Sequence, residues 1–122
     1  MRTGVDIIEI KRLKKHLLNE QFMNKIFTKY EIQHIMQHST IKGQLERMAG
    51  KYCAKEAIAK ALGFGISKGV GFKNIEINHD ANNRPYVSLT GIAKEIFDSI
   101  GTQLDLSISH DAGMAIAFCI IL

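Results

Sequence analysis

With 122 residues, 46% of them hydrophobic and 23% charged, the chain has the composition of one soluble globular domain and excludes a disordered tail or a fibre. Lys and Arg number 16 against 12 Asp and Glu, and the net charge of +4 favours an anionic partner (phosphate, nucleic acid or an acidic protein) without choosing among them. No apolar run approaches a membrane span, and the opening MRTGVDIIEIKRLKK places its charges after the short apolar stretch, the wrong order for a signal peptide.

In chain order, residues 3–10 read as a strand that carries two acids, Asp6 and Glu9. A basic amphipathic stretch follows over residues 11–27, with Leu13, Leu17 and Leu18 apolar and Lys11, Arg12, Lys14 and Lys15 polar. Thr28 with Glu31 three residues on is a capping box, which predicts a helix from Lys29 to about His38 and explains both residues structurally. Residues 39–43 read as a turn. The Ala-rich, Pro-free segment from about Gln44 to Leu62 predicts a long helix, with Gly63 as its stop.

Four glycines, Gly63, Gly65, Gly69 and Gly71, then crowd into nine residues. Residues 72–78 and 85–90 alternate as strands about the turn-rich HDANNR, residues 91–101 read as a short helix, and LDLSISH and AIAFCIIL are strands separated by Asp111-Ala112-Gly113. The predicted fold is therefore a single α+β domain over residues 1–122, an antiparallel β-sheet packed against a long helix and shorter helices. Cys53 and Cys119 lie far apart among small or apolar neighbours, without CxxC or Cys/His metal spacing. Two buried thiols in a reducing cytoplasm fit better than one bridge.

The long helix carries the chemistry. Ala49, Tyr52, Cys53, Glu56 and Lys60 recur at i, i+3, i+4 spacing and share one face, so Glu56 falls in the middle of what would otherwise be a core stripe. A lone buried carboxylate costs several kcal/mol, so Glu56 requires Lys60, a cation or a polar cleft beside it. The bland alternative is an exposed i, i+4 pair contributing a few tenths of a kcal/mol. The glycine run lacks GK[ST] and follows a helix, which excludes a Walker loop and a dinucleotide fingerprint. It is either a flexible connector or a set of backbone N–H groups offered to an anion, with Lys60 one turn before. Asp6, in an apolar strand, supplies with Glu56 two hard oxygen donors of the kind Mg²⁺ takes alongside water and substrate phosphate. His110 ends its strand as a candidate phosphate or stacking contact, and the other histidines show no zinc spacing.

GVDIIEIKR (4–12), FTKYE (27–31), KYCAKEAIAKALGFGI (51–66), NNRPYV (82–87) and SISH (107–110) together resemble the bacterial holo-acyl-carrier-protein synthases, small stand-alone 4′-phosphopantetheinyl transferases. The most specific element, K-E-A-x-x-K-A-x-G, stands as Lys55-Glu56-Ala57 and Lys60-Ala61-Leu62-Gly63. The resemblance implies transfer of the phosphopantetheine arm of coenzyme A to a serine of apo-acyl carrier protein, with Mg²⁺ required and adenosine 3′,5′-bisphosphate released. It places Mg²⁺ on Asp6 and Glu56 and gives Lys60 the charge on the attacked or departing phosphate. It leaves the serine proton to Glu56 or to a water on the metal.

By the same resemblance Lys51 and the loop Gly63, Gly65, Ile66 and Ser67 contact coenzyme A phosphates, and Arg84, Pro85, Ser109 and His110 lie near the nucleotide. Arg12 and its basic neighbour Lys15 receive an acidic helix of the carrier protein. A homotrimer with sites between subunits, and neither nucleic acid nor membrane as partner, is implied as well. Lys51-Tyr52 stands where Arg-Phe is frequent, giving up bidentate phosphate geometry, and Phe64, Asn83-Arg84 and Asp111 also depart from the common pattern. Two other readings compete with this one. A basic nucleic-acid-binding domain calls for aromatics interleaved with the lysines, yet aromatics are 7% and Trp is absent. A metal-dependent nucleotide pyrophosphate hydrolase shares the carboxylate pair but needs no docking surface, so it tolerates Arg12→Glu.

Overall fold

The computed structural model describes residues 1–66 and 71–122. β1 (Arg2–Glu9) runs into a 3₁₀ helix (Ile10–His16), followed by α1 (Glu20–Ile26), α2 (Lys29–Met36) and the 22-residue α3 (Ile41–Leu62). A short 3₁₀ turn (Phe72–Asn74) leads to β2 (Ile75–His79) and β3 (Pro85–Leu89). α4 (Gly91–Ile100), β4 (Leu104–Asp111) and β5 (Met114–Ile121) complete the chain.

The α+β prediction holds with three changes of detail. The strands form two antiparallel sheets instead of one: a three-stranded sheet in the order β1-β5-β4 and a separate β2-β3 hairpin. The basic stretch is divided, because the Asn19 side chain accepts the Phe22 N–H and starts a new helix there. α3 also begins earlier than expected. Thr40 caps it by accepting the Gly43 N–H, so residues 41–43 are helix and not turn.

α3 is buried on nearly every side, as a helix enclosed by other layers must be. One face receives the three-stranded sheet on small side chains, Ala49, Ala54, Ala57 and Ala61, which let strands approach closely. Gly4 of β1 makes the limit visible: a Cβ there would come within 1.8 Å of the Ala57 carbonyl oxygen. β1 is thereby pinned against α3, and its alternation turns Gly4, Asp6 and Ile8 inward while Val5 and Ile7 face out. β5 contributes Ala115, Ala117, Cys119 and Ile121 to the same interior. Both cysteines are free and fully buried, and burial pushes each thiol up to about 12, so neither is a reactive thiolate.

The opposite face of α3 meets the β2-β3 hairpin through charge. The Lys55 ammonium lies 2.8 Å from Glu31 and donates to the carbonyls of Phe72 and Ile75, with both side chains fully buried. Glu31 in turn accepts the Thr28 N–H, completing the predicted capping box, and the Ile77 N–H, each at 2.8 Å. One turn earlier Lys51 donates to the Ile77 carbonyl at 3.2 Å. The unpaired edge of β2 is thus satisfied by side chains of α2 and α3 in place of another strand.

Candidate active site

Asp6 reaches α3 because Gly4 brings β1 so close and because the strand's two-residue period turns Asp6 the same way. On α3, Glu56 and Lys60 stand one turn apart, but Lys60 does not pair with Glu56. Its ammonium donates to Asp6 Oδ1 at 3.1 Å and to the Val5 carbonyl at 3.0 Å, tying helix to strand. The Asp6 side chain keeps 20% of its exposure and that of Lys60 57%, so the pair is open to a ligand from outside.

Glu56 is half-buried. Burial pushes its carboxyl above the ordinary glutamate range, the Asp6 charge adds to the rise, and Lys60 opposes it. Two carboxylates lining one cleft beside a single ammonium are a ready donor pair for a hard divalent cation. No group of three or more His, Cys, Asp and Glu able to hold a metal occurs among the described residues. Mg²⁺ fits the pair, since it needs only one or two protein carboxylates and fills its remaining positions from water and phosphate.

Asp6 and Glu56 open into a cleft of about 360 Å³, lined also by Arg12, Lys15, His16, Phe22 and Tyr52. Arg12 and Lys15 project from the 3₁₀ helix as exposed cations, as their spacing on the amphipathic stretch suggested. His16, Phe22 and Tyr52 were missed as site residues. His16 stacks on Phe22 with ring centroids 3.9 Å apart, a contact that depends on the break at Asn19 and so carries no signal in the helical projection. Tyr52 lies on the Glu56 stripe, where its spacing reads as core. Burial raises its hydroxyl pKa, and the Glu56 and Asp6 charges raise it further.

The residues expected around a nucleotide do not converge on that cleft. Lys51, Pro85 and His110 line a second cavity of about 300 Å³, together with His34, Arg47, His79 and Glu46. Lys51 is buried to 1% exposure with its ammonium on Ile77, and burial lowers its pKa to about 8 against the pull of Glu31. His110 Nδ1 lies 2.9 Å from Glu46. Arg84 is turned away to Asp105 at 3.1 Å, and Ser109 sits on the outer face of β4 opposite Ile116. Gly63 caps α3 in the left-handed conformation (φ 86°), where Arg2 donates to the Leu62 carbonyl. Gly65 and Ile66 follow after Phe64, and Ser67 lies outside the described residues.

The sequence profile of the 4′-phosphopantetheinyl transferase superfamily matches residues 2–119. The chain belongs to that superfamily. Relatives of this transferase include the holo-[acyl-carrier-protein] synthase of Ruminiclostridium cellulolyticum, 41% identical over 99% of this chain and 91% of the relative. That of Clostridium acetobutylicum is 44% identical over 97% and 94%. Among solved structures, the Helicobacter pylori holo-[acyl-carrier-protein] synthase in complex with coenzyme A superposes with a TM-score of 0.84 at 31% identity, covering 98% of this chain and 99% of that one. The Neisseria meningitidis synthase gives 0.85 at 29% identity, covering 99% and 97%. The antiparallel sheets packed on a long helix are thus the fold of a phosphopantetheinyl transferase.

Proposed function

We propose that this transferase moves the 4′-phosphopantetheine group of coenzyme A onto a serine hydroxyl of apo-acyl carrier protein, with Mg²⁺, releasing adenosine 3′,5′-bisphosphate. The observation that carries the reading is the meeting of Asp6, Glu56 and Lys60 at the mouth of a cleft flanked by Arg12 and Lys15, in a chain whose relatives are named holo-[acyl-carrier-protein] synthases. Asp6 and Glu56 would hold Mg²⁺, which when bound supplies charge neutralisation at the coenzyme A pyrophosphate.

Lys60, half in solvent and already oriented by Asp6 and Val5, is placed to offset negative charge on the phosphate under attack. Glu56, whose carboxyl burial raises above the ordinary range, or a water on the metal would take the serine proton. Arg12 and Lys15 give an acidic carrier protein its point of attachment beside the carboxylates. The second cavity, with Lys51, Pro85 and His110, takes the nucleotide end of coenzyme A. Val5, Ile7, Ile116 and Phe118 stand exposed at 40–59% on the outer face of the three-stranded sheet, an apolar surface that favours the homotrimer with sites between subunits.

Intact-protein mass spectrometry of an apo-acyl carrier protein incubated with the chain, coenzyme A and Mg²⁺ tests the reading. A gain of one phosphopantetheine, abolished by EDTA, is the expected result. No gain from folded protein and a competent carrier refutes it.

A further inference from the structure

The second cavity has a chemistry that its expected residues do not account for. α2 supplies His34, β2 supplies His79, and the two rings stack with centroids 4.6 Å apart and 18° between planes. Lys51 Nζ lies 3.5 Å from His79 Nδ1, while Arg47 donates to the His34 carbonyl. His34 Nδ1 is buried and has no hydrogen-bond partner among the described residues. His38 and His110 complete the basic lining, and the carboxylate that lines the cavity is Glu46, already engaged with His110. Tyr30 stacks on the outer side of His34, and Asp80 is the acid next to His79.

Such a lining, cationic at Arg47 and Lys51 with two contiguous imidazoles between, is matched to a doubly charged anion. We infer that His34 and His79 are binding residues for a phosphomonoester dianion of coenzyme A, and that they take up a proton when it binds. The inference rests on the coenzyme A reading above and adds to it the residues and the proton.

Without the anion both rings are held neutral: burial, then the Lys51 and Arg47 charges, lower each to about 4, and Asp80 only partly opposes this at His79. A phosphate dianion in the cavity reverses the sign of that field, and the orphaned His34 Nδ1 gains an acceptor to donate to. Glu46 lies 2.9 Å from His110 Nδ1 and makes no ion pair with His34 or His79 among the described residues. If one ring returns to the ordinary histidine value of about 6.5, linkage makes binding roughly tenfold tighter at about pH 5.5 than at about pH 7.5.

The test is isothermal titration calorimetry of metal-free protein with coenzyme A and with dephospho-coenzyme A, in buffers of different ionisation enthalpy. Wild type is compared with His34→Gln, His79→Gln and the double variant. The phosphate's own ionisation, near pH 6, is common to all proteins and cancels in the comparison. Coenzyme A should bind wild type with proton uptake, and its affinity for wild type relative to the double variant should rise roughly tenfold from about pH 7.5 to about pH 5.5, with no such rise for dephospho-coenzyme A. Equal pH profiles for wild type and double variant, or for the two ligands, overturn the inference while leaving the transferase reading standing. Failure of coenzyme A to bind at any pH overturns both. Histidine ring NMR titrations of the wild type give a readout that needs no variant. Resonances of His34 and His79 that titrate at the same pH with and without coenzyme A also refute it.

Discussion

Replacing Lys55 by Met removes one half of the ion pair that joins α3 to the hairpin. The pair is fully buried, and the ammonium serves three acceptors: Glu31, the Phe72 carbonyl and the Ile75 carbonyl. Met nearly preserves the volume, so the cavity contribution stays small. The Glu31 carboxylate is left buried and uncompensated, a change that costs about 3–5 kcal/mol in comparable pairs. Two carbonyls that lose their donor at about 1 kcal/mol each lie within that range. Against a total stability of about 5–15 kcal/mol this is a large fraction.

Urea unfolding followed by far-UV circular dichroism at fixed protein concentration measures it. At a slope of about 1.5 kcal/mol/M the midpoint should fall by about 2–3 M. Glu31→Met should be as damaging, since it also strips acceptors from the Thr28 and Ile77 N–H groups. The double variant should lose clearly less than the sum of the two single changes, because it buries no lone charge. A loss below about 1 kcal/mol for Lys55→Met, or strict additivity in the cycle, would refute the claim that these two charges hold the hairpin.

Gly4→Ala should destabilise by about 3 kcal/mol or more and displace Asp6, since its Cβ would collide with the Ala57 carbonyl; an unchanged melting temperature and normal turnover count against the close approach. Glu56→Gln should leave the unfolding curve intact and abolish carrier modification in the mass assay, because an amide is a poor Mg²⁺ ligand; near-normal activity removes Glu56 from the metal. Lys51 sets a pH dependence. Its folded pKa, about 8, lies below the unfolded value of 10.5, so between these the unfolded chain holds the extra proton and stability rises with pH. The Lys51 share of that rise is about 3 kcal/mol at most, and Lys51→Met should remove it when urea curves are compared at either end of the window.

What could be read in the sequence was local or periodic. Thr28 and Glu31 announced their capping box, Gly63 its helix end, and the spacing of Glu56 and Lys60 put both on one face of α3. The position of Asp6 in an apolar strand marked it as unusual, and it does meet Lys60. What could not be read depends on separations no pattern encodes. Glu31 looked complete as a cap, yet its second partner is 24 positions away at Lys55. Lys51 stands in the sequence only as a phosphate contact implied by resemblance, and nothing local shows that its ammonium is one of two closing the edge of β2. His34 and His79 sit in elements 45 positions apart and stack only once the hairpin is docked. Asn19 lies inside a stretch whose apolar spacing continues on paper, and Thr40 lies in a segment that reads as a turn, so neither stands out as a cap.

The course of α3 through the centre of the molecule bears on how the protein fails. Glu56, Lys60, Lys51 and Lys55 all stand on one helix whose backbone is covered by sheet, hairpin and α2. Amide protons on such an element exchange with solvent only when the whole domain opens, whereas those of the 3₁₀ helix bearing Arg12 and Lys15 are free to exchange by local fraying. Heat or denaturant would therefore loosen the helix of Arg12 and Lys15, the proposed attachment for the carrier protein, well before it disturbed the carboxylates. On the proposed assignment, a partly melted molecule would be one that still holds its small ligands and has lost its macromolecular one.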